Sequence, residues 1–153
     1  VADYAVKKYD LRVILSGGPS AVEREMGDQI RALMKTTPLD LIGKTNLKQL
    51  LALLSRATAL ISPDSGPIHM GTAVGIPVIG LYATTNPDRA GPYLSQRWRV
   101  DRYPDAMLKF NQQNAESAPW GTRVRDSAAM DMITVEDVIA RLDQLVKETN
   151  DTR

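Results

Sequence analysis

The 153-residue sequence contains no cysteine and one histidine, His69. The first absence excludes disulfides and thiolate metal sites and fits a reducing compartment. The second excludes a histidine-rich metal centre. No apolar run is long enough to span a bilayer. Charge is nearly balanced, with 19 Lys and Arg against 18 Asp and Glu. No overall field therefore calls for nucleic acid or a membrane as partner. Neither GxGxxG nor GxxxxGK[ST] occurs, so neither a dinucleotide fingerprint nor a P-loop is supported. What remains is an ordinary globular composition, 43% apolar and 24% charged, in a chain long enough for one domain with a core.

Short apolar runs alternate with amphipathic stretches. "VADYAVKKY" carries Val1, Ala2, Ala5, Val6 and Tyr9 at helical spacing, with no cap before it. "LRVILSGG" (residues 11–18) reads as a buried strand. The helix after it has a stripe of Val22, Met26, Ile30, Leu33 and Met34. "LDLIG" (39–43) is a second strand, and "TNLKQLLALLSRA" a second helix capped by Thr45 or Asn46. "TALIS" (58–62) is a third strand. "GPIHMGTAVG" is a short helix closed by Gly75, and "PVIGLY" a fourth strand. Repeated β-loop-α units with short connections predict an α/β fold, a Rossmann-like parallel sheet with helices on both faces.

After Tyr82 the periodicity fades. "WRVDRY" is compatible with one more strand. Residues 109–130 read as a long polar loop, and "ITVEDVIARLDQLVKET" as a closing helix, with Thr134 and Asp137 in a capping-box spacing. Residues 89–125 hold seven basic side chains against three acids. They form either a solvated surface or one that faces an anionic acceptor or the inner membrane surface.

The stretch with the most chemistry is "SPDSGPIHMGTAVGIPVIGLY" (62–82). In open α/β sheets, ligands sit beyond the carboxyl ends of strands. The first turn of the next helix offers unsatisfied N–H groups and the positive end of the helix dipole to an anion. Gly66 permits close approach, and Pro67 loses little in a first turn. Ser65 can cap the helix, His69 lies one turn in, and Asp64 can accept from ligand hydroxyls. Asp64 and Ser65 also read as caps alone, and a lone histidine as structural. After the first strand, Gly17 and Gly18 precede Glu23, which suits a ribose or simply the helix dipole. Lys44 reads as solvated.

The segment "LIGKTNLKQLLALLSRATALISPDSGPIHMGTAVGIPVIGLYATTNPDRAGPY" resembles the C-terminal half of glycosyltransferase family 9, the bacterial lipopolysaccharide heptosyltransferases. The family motif D-[ST]-G-x-x-H-[LM] is matched by Asp64, Ser65, Gly66, His69 and Met70. Further matches are "GKTNL", the strand from Ala73 to Tyr82, Gly91 with Pro92, and Met130 to Val138. The resemblance implies a GT-B architecture, of which residues 1–153 would form the single C-terminal nucleotide-sugar (donor) domain. It implies ADP-heptose as donor and a lipopolysaccharide core or other glycan as acceptor. Ser65 and Gly66 would supply N–H groups to the diphosphate, supported by His69. Asp64 would contact the sugar, and Thr45 the adenosine. Glu23, or Glu25 in its place, would hold the ribose. No catalytic residue is expected in this chain, because the family's base lies in the N-terminal domain. No metal, cofactor or nucleic acid is implied. The expected location is the cytoplasm, with possible peripheral contact at the inner membrane of a Gram-negative bacterium. A sugar-nucleotide 2-epimerase of the same architecture and a non-catalytic nucleotide-binding module are the alternatives. The family also carries a strand upstream of Val1. With that strand first, residues 11–16 would form the second strand and 58–62 the fourth, and the fragment alone would be inactive.

Overall fold

The computed structural model describes residues 1–150. The chain forms two compact units, Val1–Ala52 and the part from Leu53 onward.

The first unit contains α1 (Ala2–Tyr9), β1 (Ile14–Leu15), α2 (Ala21–Leu33) and β2 (Leu39–Asp40). The two strands run parallel, with Ile14 opposite Leu39 and Leu15 opposite Asp40. They are shorter than the apolar runs that encode them. The alignment nevertheless continues beyond them, where the Gly43 N–H donates to the Gly17 carbonyl at 3.0 Å. α1 ends at Asp10 in the left-handed region (φ 53°). The core here is thin, with Ala5 and Ile42 its buried apolar side chains. Polar contacts do much of the fastening. Asp3 accepts from the Lys35 and Thr36 amides and from the Thr36 hydroxyl at 2.7–3.0 Å. Arg24 and Arg31 both reach Asp40.

The apolar stripe of α2 is not its packed side: Val22, Met26, Ile30 and Leu33 are 45–83% exposed. The side of α2 that meets β2 is the opposite one. Gly27 is buried against Ile42, and Arg24 and Arg31 flank it. An apolar stripe fixes which residues share a helix face. It does not fix which face meets the neighbouring strand.

α3 (Leu47–Leu54) follows, and the second unit then holds β3 (Leu60–Pro63), α4 (Gly66–Ala73), β4 (Val78–Tyr82), α5 (Pro87–Ala90), β5 (Val100–Asp101), α6 (Tyr103–Ala106) and α7 (Val135–Asn150). β3, β4 and β5 form a parallel sheet in that order. β1 thus belongs to the first unit's sheet and β3 to the second unit's. Ile68, Val78 and Tyr82 pack with Leu60 at the centre. Gly75, at φ +78°, closes α4 as expected of a residue at that position. The buried Ser95 hydroxyl accepts the Val78 N–H at the entry to β4. α7 buries Val138, Leu142 and Leu145. At its start, Thr134 and Asp137 exchange backbone-to-side-chain bonds at 3.1 Å, the box its sequence predicts.

The segment expected to be a long loop is partly ordered. α6 continues into a π-turn at Met107–Asn111, and a 3-10 turn spans Ser127–Met132. Tyr103, Ala106, Met107, Val124 and Ala129 are buried together with Ala83. These contacts join residues far apart in sequence, so they leave no periodic trace.

Candidate nucleotide-binding site

β3 ends at Pro63 and α4 begins at Gly66, so Asp64 and Ser65 form the whole turn between them. Ser65 sits at the cap position with extended backbone, but its side chain makes no capping bond. Its hydroxyl turns back toward the strand, 3.1 Å from the Pro63 carbonyl and 3.0 Å from the Ser62 hydroxyl. The Ile68 amide is satisfied by the Ser65 carbonyl. The helix therefore starts without a side-chain acceptor for its leading amide, and Pro67 removes one donor altogether. At Gly66, apart from its chain neighbours and the helix's own backbone, no atom lies within 4 Å of where a Cβ would stand. The space where a Gly66 side chain would stand is open, and the leading N–H groups of α4 are what an anion at that helix end would meet. Asp64 is half-buried and His69 is exposed on the first turn.

The sheet adds neighbours that the motif alone does not reveal. Pro63 pairs with Leu81 and Tyr82 with Asp101. Asp64, Tyr82 and Asp101 therefore follow one another at the carboxyl end of three adjacent strands. The Tyr82 hydroxyl donates to the Ala90 carbonyl at 3.2 Å, tying the end of β4 to α5. Burial first, and then the Asp64 carboxylate, push the Tyr82 hydroxyl well above its ordinary pKa, with Arg99 opposing. It stays a neutral donor at any physiological pH. Burial also raises the Asp101 carboxyl, against a bond from the Tyr103 amide and the charge of Arg99. An aromatic residue closing the apolar run PVIGLY was the available signal for Tyr82. For Asp101 the signal was weak: it lies in the run WRVDRY, of which only Val100–Asp101 forms a strand.

Three of the basic side chains of residues 89–125 are held by acids. Arg102 binds Asp137, Arg99 binds Asp88, and Arg97 binds Glu148.

In the first unit, Glu23 lies in the first turn of α2 and folds back over the glycines. The Gly18 amide donates to its Oε2 at 2.6 Å, and the Ser20 hydroxyl lies 3.2 Å from its Oε1. A Cβ on Gly17 or Gly18 would fall within 3 Å of this carboxylate and would push it off its present position. Ser20 caps the helix by accepting the Glu23 amide. Glu25 is exposed on the same helix and makes none of these contacts. Thr45 is half-buried at the turn before α3. Of the two cap candidates there, Asn46 takes the role, exchanging bonds with Gln49 at 2.9 Å. The Lys44 ammonium donates to the Asp40 carbonyl.

Residues 3–118 match the profile of glycosyltransferase family 9 (heptosyltransferase). The chain is 41% identical over 139 residues to the lipopolysaccharide core heptosyltransferase OpsX of Haemophilus influenzae, covering 90% of this chain and 40% of that protein. It is 31% identical to lipopolysaccharide heptosyltransferase 3 of Escherichia coli K12, covering 94% of this chain and 40% of the relative. The family 9 glycosyl transferase from Veillonella parvula superposes with a TM-score of 0.71 at 27% identity, covering 96% of this chain and 39% of that one. Escherichia coli ADP-heptose lps heptosyltransferase II superposes at 0.68 and 24% identity, covering 97% and 41%. The chain thus spans about two-fifths of the length of these relatives. With the family profile matched from residue 3 to residue 118, on a parallel α/β scaffold shared with solved members, this chain belongs to glycosyltransferase family 9.

Proposed function

We propose that this chain is the donor-binding part of an inverting heptosyltransferase of GT-B architecture. It holds a nucleotide-sugar, ADP-heptose, for transfer to a glycan acceptor of the lipopolysaccharide core. One observation carries the reading: the amino end of α4 is left uncapped by Ser65, and the space where a Gly66 side chain would stand is open. The heptosyltransferase relatives support it, and an ADP-heptose lps heptosyltransferase of known structure shares the fold.

In this reading the Ser65 and Gly66 amides receive the diphosphate, and His69 lies beside it. Asp64 accepts from hydroxyls of the sugar. Glu23 serves the ribose and Thr45 the adenosine. A carboxylate supplied from outside this chain takes the proton of an acceptor hydroxyl, whose oxygen then attacks the anomeric carbon. Negative charge grows on the departing nucleoside diphosphate, and the helix end stabilises it without having to reorganise. The work takes place in the cytoplasm, peripheral to the inner membrane of a Gram-negative bacterium.

Calorimetric titration of the chain with ADP and with UDP tests the assignment. ADP should bind at least about tenfold tighter than UDP, and Gly66→Val should abolish the heat by filling the approach. Preferential binding of UDP would favour the epimerase alternative, and no heat with either nucleotide would remove the donor assignment.

A further inference from the structure

The connection from β4 to β5 carries a shallow groove, widely open to solvent, of about 590 Å³, bordered by Asp88, Tyr93, Gln96, Arg97 and Arg99. Its floor is a hydrogen-bonded polar network. Arg99 Nη1 donates to Asp88 Oδ1 at 2.6 Å and to Gln96 Oε1 at 2.7 Å, while Nη2 lies 3.7 Å from Asp101. Asp88 is itself placed by the Asn86 side chain, which accepts its amide at the start of α5. Arg97 stacks over the Trp98 ring at 4.2 Å and pairs with Glu148 at 3.0 Å. Two guanidinium groups thus face three carboxylates, Asp88, Asp101 and Glu148. The groove is polar but carries no surplus positive charge, so a phosphate gains little there.

Its wall is unlike its floor. Tyr93 is 84% exposed, and no hydrogen bond, ion pair or ring contact engages it among the described residues. A ring face left bare beside a row of hydrogen-bonded carboxylate, amide and guanidinium groups suits a ligand with one apolar face and many hydroxyls. Planar Asp, Gln and Arg side chains offer paired acceptors and donors to neighbouring hydroxyls. The network is already assembled, which lowers the ordering cost of binding. The groove also adjoins the donor motif, because the Tyr82 hydroxyl binds Ala90 of α5 and feels both Asp64 and Arg99.

We infer that this groove is a saccharide subsite, in which a neutral pyranose ring of the glycan substrate stacks on Tyr93 and places its hydroxyls on Asp88, Gln96 and Arg97. The inference rests on the reading that the chain works on a glycan.

The test is a titration of the isotope-labelled full chain with methyl α-D-mannopyranoside at tens of millimolar, followed by a separate titration with ADP. The pyranoside should move the Tyr93, Gln96 and Arg99 signals. Tyr93→Ala should weaken that response by about fivefold or more, while Tyr93→Phe keeps it within about twofold. Tyr93 is so exposed that neither change threatens the fold. Silence of the groove toward the pyranoside overturns the inference, as does a groove that answers inorganic phosphate instead. If ADP still moves the Ser65–His69 amides in that case, the donor reading stands and only the saccharide subsite falls. A groove that answers the pyranoside while ADP moves nothing gives the converse.

Discussion

Arg102 grips Asp137 with a two-pronged contact, Nη2 at 2.6 Å from Oδ1 and Nε at 3.1 Å from Oδ2, and so fastens the end of β5 to the first turn of α7. Asp137 also accepts the Thr134 amide, so one carboxylate serves a helix cap and a long-range ion pair. Removing it should cost more than an ordinary surface charge does. Asp137→Ala is expected to lower stability by about 1–2 kcal/mol in denaturant unfolding, discounted because both partners are partly solvent-exposed. The Arg102 guanidinium beside it holds the Asp137 carboxyl below the usual range, with the Thr134 amide adding to the effect. The contribution is therefore complete above the unfolded carboxylate pKa of about 3.9 and is lost as pH falls through the lower folded value. An Asp137→Ala penalty that stayed constant from pH 6 down to pH 2 would contradict this.

Asp101 has the opposite sign. Burial raises its carboxyl, so folding disfavours its ionised form. Asp101→Asn keeps an acceptor for the Tyr103 amide, now 3.0 Å away, and removes the buried charge. The variant should melt higher than the parent at pH 7. Its advantage should shrink as pH falls through the raised folded value, where the parent carboxyl becomes neutral as well. A lower melting point at pH 7 would show that the Arg99 contact outweighs desolvation.

Glu23 separates a structural role from a binding one. Glu23→Ala removes the acceptor of the Gly18 amide and the partner of Ser20. It should destabilise the chain by about 1 kcal/mol and weaken ADP binding. Glu23→Gln retains an acceptor oxygen for Gly18 but loses the charge, so stability should hold while ADP affinity drops. Equal ADP affinity in the parent and both variants would leave Glu23 as a cap alone.

Much of this was legible in the sequence, for identifiable reasons. The helices announce themselves through local signals: Thr134 with Asp137, Gly75 after α4, and Asn46 before α3. These signals act within one turn, so they are readable without knowledge of distant contacts. The turn at residues 64–66 was legible because a polar pair and a glycine interrupt two apolar runs. The direction in which α2 packs was hidden, because the Arg24 and Arg31 bonds to Asp40 turn its polar side toward β2. The orientation of the Ser65 hydroxyl was hidden for a similar reason. Ser62, three residues earlier, competes for it and leaves the helix end uncapped. The ordered part of residues 103–132 rests on Tyr103, Val124 and Ala129 meeting across more than twenty positions, and no window along the chain reports that.

The most direct test of the central claim is an amide spectrum of the chain recorded during titration with ADP at up to millimolar concentration. If the uncapped end of α4 receives the diphosphate, the resonances of Ser65, Gly66, Ile68 and His69 should move together and saturate along one binding curve. If they remain in place while ADP is bound elsewhere, or not at all, the donor site is not at this helix end.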